Sequence, residues 1–298
     1  MNLVVAVRPL TFAVATLTAV AVLEGCRHKE PVSPPVATPS FSLNHPRAAL
    51  GSAVDITYKF VVANDAHFSQ DFRVMVHVMD TDDELIWTDD HNPPIPTTQW
   101  KPGQTVEYTR TVFIPVYPYV GEATVQMGLY STADQKRLPL AGEEAGQRAY
   151  KVGKIQLLPQ TDNIFVVFKD GWHPTEVAEH NATVEWQWTK KSATLAFKNP
   201  KKDCVVMLDL DNPGNVLREP QQVKISFDGK AVDQFTVRPK EQLLRKIPLT
   251  AAQLGSADMV ELQIDVDRTF VPAMMSGSNN KDPRELGVRV FHAYVDAR

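Results

Sequence analysis

The C-terminal half of the chain carries side chains of the types that hold sugars: Trp172, His173, Glu176, Trp186, Trp188 and Arg284. Indole faces cover the apolar C–H surface of a pyranose, and planar polar groups bond its hydroxyls. Trp172, His173, Glu176 and Arg284 are the candidate ligand-binding set. Trp172 sits in a Gly/Pro-flanked loop, Gly171-Trp172-His173-Pro174, where a binding role and a packing role are both open. Trp186 and Trp188 share parity on one strand, so both point the same way, either into a core or onto a platform. Glu176 with Glu185, or Asp209 with Asp211, would supply a glycosidase pair, but that chemistry needs a separation of roughly 5–10 Å that sequence does not fix. There is no Gly-x-Ser-x-Gly elbow, His-Glu-x-x-His, P-loop or Gly-x-Gly-x-x-Gly, and the eight histidines are scattered. The expectation is a non-catalytic protein with no catalytic residue, no metal and no cofactor. The acidic run Asp80, Asp82, Asp83, Glu84 lacks the loop length and glycine of an EF-hand and reads as a hairpin tip.

The N-terminus carries a second kind of chemistry. Arg8 precedes an uncharged Ala/Val/Leu/Thr-rich stretch, residues 10–23, which is too short to span a bilayer comfortably. It ends in Leu23-Glu24-Gly25-Cys26, which resembles the bacterial lipobox; Leu23, Gly25 and Cys26 match, and Glu24 departs from the usual small uncharged residue. That resemblance implies a signal peptide over residues 1–25, lipidation of Cys26 and anchoring to a membrane through that lipid. Residues 26–39 are rich in proline and small polar residues, which bury too little surface to fold, so they read as a stiff tether. The address expected is extracytoplasmic and membrane-anchored, on the outer membrane or the periplasmic side. Arg27 after the cysteine favours the outer membrane where a host has one. The only other cysteine, Cys204, lies in an apolar strand-like run and reads as a buried small hydrophobe.

These residues need a scaffold. The chain has 298 residues, 43% of them hydrophobic and 22% charged, with 22 prolines against 14 glycines and a net charge of −4. That length holds two modules of sandwich size behind a leader. A mildly acidic chain with no basic block is a poor nucleic-acid binder, and that class of partner is excluded. In the first module, residues 40–160, Val54, Ile56, Tyr58, Phe60 and Val62 alternate with Asp55, Thr57, Lys59 and Val61, and Phe72, Val74, Val76 and Val78 repeat the pattern. Residues 80–83 turn the chain into Leu85-Ile86-Trp87, and further strands are expected at 106–113, 123–130 and 150–158. The run from His91 through Trp100-Lys101-Pro102-Gly103 to Val106, with Gly121-Glu122-Ala123, Gly128-Leu129-Tyr130 and Arg137-Leu138-Pro139-Leu140, resembles small β-sandwich modules appended to bacterial membrane glycosyltransferases of the dolichyl-phosphate-mannose-transferase type. The resemblance implies an Ig-like fold and envelope context, and no activity.

The second module, residues 161–298, is expected to place strands at 164–168, 184–188, 193–197, 205–210, 223–227, 234–237, 259–266 and 286–294. Asp228-Gly229 is a hairpin signal, and Thr250 an N-cap for one helical turn. Gly171, Trp172, Glu176, Trp186, Asp228, Gly229, Pro272, Asp282, Arg284, Leu286 and Gly287 occur in an order similar to carbohydrate-binding-like jelly-roll domains found with bacterial cell-surface glycosyltransferases. The fold class expected is therefore all-β: two antiparallel β-sandwiches, Ig-like then jelly-roll-like. The function expected is glycan binding through the second sandwich. The alternative is a structural or adaptor lipoprotein docking on a membrane glycosyltransferase or other envelope protein.

Overall fold

The computed structural model describes residues 33–214, 217–275 and 280–297, apart from the side chains of 182 and 183. The leader, Cys26 and residues 26–32 of the tether lie outside the described residues. Pro34–Arg298 form a single compact unit. Among the described residues no helix is long and apolar enough to cross a membrane.

Nearly all regular structure is β. The first sandwich is built from β1 (Ala37–Leu43), β2 (Arg47–Ala49), β3 (Ala53–Val62), β4 (Arg73–Met79), β5 (Leu85–Thr88), β6 (Thr105–Phe113), β7 (Gly121–Tyr130), β8 (Glu143–Gly146) and β9 (Ala149–Leu158). One sheet runs β1-β3-β6, and the other runs β2-β9-β7-β4-β5 with β8 added to β9. The period-2 pattern explains the pairing of faces. On β3, Val54, Ile56, Tyr58, Phe60 and Val62 are buried, and Val74, Val76 and Val78 of β4 meet them from the opposite sheet. Each such side chain fully buried is worth about 1.5–3 kcal/mol. Trp100 packs on Phe60 and Phe68, with ring centroids 5.1 and 5.5 Å away, and its indole donates to the Ile95 carbonyl. β1 begins inside the stretch read from sequence as tether. Its Pro39 pairs with Phe60 from the edge of the sheet, where a residue lacking an N–H is tolerated.

The second sandwich comprises β10 (Val166–Phe168), β11 (Glu176–Ala178), β12 (Asn181–Trp188), β13 (Ser192–Lys198), β14 (Cys204–Asp211), β15 (Gln221–Phe227), β16 (Lys230–Val237), β17 (Gln242–Leu249), β18 (Met259–Val266) and β19 (Arg289–Ala297). Two five-stranded antiparallel sheets, β10-β13-β18-β15-β16 and β11-β12-β19-β14-β17, close over a core that includes Leu195, Phe197, Val206, Leu208, Ile225, Ile247 and Val260. Asp228 and Gly229, with φ of 49° and 72°, turn β15 into β16, the two positive values a tight two-residue hairpin requires. Helix α1 (Ala251–Leu254) starts at Thr250, which caps it reciprocally with Gln253. β17 was not foreseen. It carries Pro248, and it too is an edge strand, paired only with β14.

On the outer face of β14, Val205 and Met207 join Leu244 and Tyr294 against Ala53 and Phe113 of the first sandwich. Lys246 reaches Asp55 at 2.9 and 3.2 Å across the same junction. The two sandwiches thus share a small apolar contact closed by an ion pair.

Candidate functional site

The other half of that outer face carries the sequence-predicted residues. Glu176 stands directly opposite Trp186 across the β11–β12 ladder, and Trp188 stands opposite Arg289 across β12–β19. The long segment between β18 and β19 folds back over them. Phe270 and Leu286 pair in a short ladder, and the fully buried Gln221 ties the segment down by donating to the Arg268 and Gly287 carbonyls. Arg284 is thereby delivered to Glu176. One guanidinium nitrogen lies 2.7 Å from Glu176 Oε1, while Nε and Nη2 reach Asp282 at 2.9 and 2.6 Å.

The electrostatics of this bracket are those of an arginine between two carboxylates. The Asp282 hydrogen bonds, then those of Glu176, hold the Arg284 guanidinium well above its ordinary pKa. The Arg284 side-chain hydrogen bonds outweigh burial and hold the Asp282 carboxyl below the usual carboxylate range. The bracket rims a hollow of about 170 Å³ with Trp188 and Phe270 among its walls and Asn280 and Arg289 at its edge. The volume lies below the usual 300–1,000 Å³ of drug-sized sites, which suits a single small ring. Trp188, Phe270 and Leu286 form a separate apolar cluster with Trp186 packed against it, away from the main core.

Arg289 completes the face, and sequence reasoning missed it. Its fork donates to both oxygens of Asp211 at 2.8 and 2.6 Å, and its guanidinium lies 5.0 Å from the Trp186 ring, 5.7 Å from Trp188 and 5.2 Å from Phe291. The available signal was an arginine set between Val288 and Val290 at the start of a mostly apolar strand. Phe291 is an extra residue in β19: Asp209 pairs with His292 and Leu210 with Val290, leaving Phe291 bulged between them. β12 pairs with β19 only over Gln187 and Trp188, then leaves it to follow β11.

The other predicted residues have different neighbours. His173 is 9% exposed; its Nε2–H donates to the Glu285 carbonyl and its backbone N–H to that of Trp188, so it positions the folded-back segment. Trp172 packs against the main core, its ring 4.7 Å from Phe168 and edge-on, and its indole donates to the Thr194 carbonyl. The structure brings Glu176, Asp282 and Arg284 together with Trp188 and turns Trp172 inward. Of the four carboxylates considered as glycosidase pairs, Glu185 is exposed and the other three are engaged. Asp211 is held by Arg289, Asp209 accepts from Gln242 and lies 3.1 Å from His292 Nδ1, and Glu176 faces Arg284. Among the described residues no group of three or more His, Cys, Asp or Glu side chains is placed to hold a metal ion. Asp80 instead accepts the backbone N–H groups of Asp82 and Glu84, as a hairpin tip requires.

No protein-family model matches the chain, and no curated protein matches it. Solved structures similar to it include the CBM36-1 domain of a multidomain xylanase from the hindgut metagenome of Trinervitermes trinervoides, at 6% identity and TM-score 0.27, covering 46% of this chain and 98% of that one. The CBM51-2 and INT domains of Clostridium perfringens ZmpB match at 10% identity and TM-score 0.26 over 60% of this chain, which amounts to only 38% of their own length. The N-terminal CBM22-1-CBM22-2 tandem of Paenibacillus barcinonensis Xyn10C matches at 12% identity and TM-score 0.25, covering 84% of this chain and 79% of that one. At those scores the likenesses carry no weight about what this chain binds.

Proposed function

We propose that this is a non-catalytic, lipid-anchored envelope protein whose second sandwich binds glycan at the hollow rimmed by Glu176, Asp282 and Arg284. The observation that carries the reading is the bracket itself. Two carboxylates fix one guanidinium at the mouth of a ring-sized hollow that has two aromatic walls. Planar charged groups held in this way are preorganised for hydroxyls, and little side-chain entropy is lost when a sugar arrives. His173 supports the hollow from behind by fixing Glu285. The anchor rests on the lipobox-like Leu23-Glu24-Gly25-Cys26 and the proline-rich residues that follow it.

The test is retention of the full-length protein, extracted in a detergent without a sugar headgroup, on immobilised envelope polysaccharide. Arg284→Lys keeps the charge but loses the fork, and Glu176→Gln keeps the shape but loses the charge. Either is expected to weaken retention about tenfold or more, as removal of a charged hydrogen bond does. Retention unchanged in both variants, with both still folded by circular dichroism, would remove the hollow from consideration. No retention of the parent protein on any polysaccharide would favour an adaptor that docks on an envelope protein.

A further inference from the structure

A second cavity lies where the two sandwiches meet. It is a cleft of about 500 Å³, running from Gly51 of the first sandwich along the connecting residues to β10 and β19 of the second. A contiguous hollow of about 240 Å³ extends it toward Trp186 and Phe291, sharing Gly51, Gln160, Phe168 and Ala293 with it. The cleft shares no lining residue with the hollow at Arg284.

The lining of the larger part is unusual in one respect: none of it is charged. Its rings are Phe165, Phe168 and Tyr294, and its polar groups are the amides and hydroxyl of Gln160, Asn163 and Thr161. Phe165 is 76% exposed, which is a large apolar ring left in water without a packing role. Asn163 donates to the Leu50 carbonyl at 2.8 Å, and Lys246 with Asp55 closes the junction nearby, so the cleft walls are fixed to one another. In the extension, Trp186, Phe291 and His292 add rings, Thr175 and Gln187, bonded at 2.8 Å, add neutral polar groups, and Glu185 places a carboxylate that disfavours an acidic ligand.

We infer that this cleft binds an extended, uncharged oligosaccharide, several rings long, between the two sandwiches. Aromatic faces interspersed with neutral amides and hydroxyls match a chain of alternating C–H and O–H surface. An acidic polysaccharide would meet no cation in the larger part. An acyl chain would have to strand the polar groups of Gln160, Thr161 and Asn163 without partners. The inference holds whether or not the Arg284 hollow binds glycan, since the cleft is built from other residues.

The experiment is calorimetric titration of the full-length protein, in a detergent without a sugar headgroup, with cellohexaose, xylohexaose and mannohexaose, and with hexagalacturonate and palmitate as the charged and the acyl comparators. Phe165→Ala, at an exposed position whose loss does not threaten folding, and Arg284→Lys are titrated in parallel. At least one neutral hexasaccharide is expected to bind, to lose about tenfold in affinity in Phe165→Ala and to be unaffected by Arg284→Lys. No neutral hexasaccharide binding, preference for hexagalacturonate or palmitate, or an unchanged affinity in Phe165→Ala would each overturn the inference. Affinity lost in Arg284→Lys alone would assign binding to the hollow and remove it from the cleft.

Discussion

Phe113 of the first sandwich stacks face to face on His292 of the second, with ring centroids 4.2 Å apart and 8° between the planes. With Met207, Tyr294 and the Lys246–Asp55 pair this contact sets the angle between the modules. Phe113→Ala is expected to cost about 1–3 kcal/mol through lost burial and lost stacking, read as a lower midpoint in urea unfolding. A midpoint that does not move would mean that the junction contributes nothing to stability.

The same junction predicts an acid-limb effect. Burial pushes the Asp55 carboxyl up, but the Thr111 hydroxyl and Lys246 more than offset it, and the net pKa is lowered. A carboxylate depressed in the folded state stabilises at pH above its unfolded value, near 3.8, and that stability is lost as pH falls through the folded value. Lys246→Met should therefore flatten the loss of thermal stability below about pH 4. An identical acid limb in the variant would show that Lys246 does not act on Asp55 in solution.

His91 gives a dependence of the same sign, at milder pH. It is 6% exposed, donates through Nδ1 to the Asp89 carbonyl and accepts from the Tyr108 hydroxyl at Nε2, beside the Asp89–Arg110 pair and Tyr58. Burial, more than the pull of Asp89 and Asp90, leaves its pKa below the ordinary 6.5. The unfolded chain is protonated first, so stability is full above 6.5 and falls as pH drops through that value. His91→Gln should reduce the drop in melting temperature between about pH 7.5 and 5.5. A drop as steep as the parent's would point to other histidines.

Cys204 is buried in β14, and burial, ahead of Asp203 and Asp296, pushes its thiol up to about 11. Native protein should leave it unlabelled by iodoacetamide at pH 8, with labelling only in denaturant. The same experiment bears on the anchor. Protein taken from membranes should show no fast-reacting thiol at all if Cys26 carries lipid. One fast equivalent at Cys26 would contradict the lipoprotein reading.

Gly171 sits at φ +81°, and a Cβ there would lie 2.0 Å from the Ser192 carbonyl oxygen. Gly171→Ala should destabilise the second sandwich by more than ~3 kcal/mol, because both the backbone angle and the contact must give. A variant melting within a degree of the parent would require the loop around Trp172 to be laid out differently.

Much of the scaffold was readable in the residues, and for a simple reason. Val54 to Val62 alternate because one face of β3 meets a core and the other does not, and Asp228-Gly229 turn because two positive φ values are needed there. β1 and β17 were hidden by Pro39 and Pro248, which suggest loops until the strands are known to lie at sheet edges. The candidate site was half legible. Glu176 and Arg284 of the candidate set lie side by side, joined by Asp282, which was not in that set. The pairing of Arg289 with Asp211, directly opposite it on the neighbouring β14, depends on a strand register that the linear sequence does not state. Trp172 sat in a loop by every local signal, yet its indole found the Thr194 carbonyl and turned inward. Side-chain direction in such loops is decided by the partner strand, which a linear reading does not contain.

The position of β19 has a consequence for biosynthesis. This strand, last in chain order, lies in the interior of its sheet between β12 and β14. Until it has been made, β12 and β14 have no ladder between them and the core under Val206 and Leu208 stays open to water on that side. A chain synthesised from its N-terminus can close the first sandwich early, whereas the second must wait for its final segment to slot between strands already formed. Losing that segment would not trim an edge. It would split the sheet down the middle and take Arg289 and its hold on the tryptophans with it.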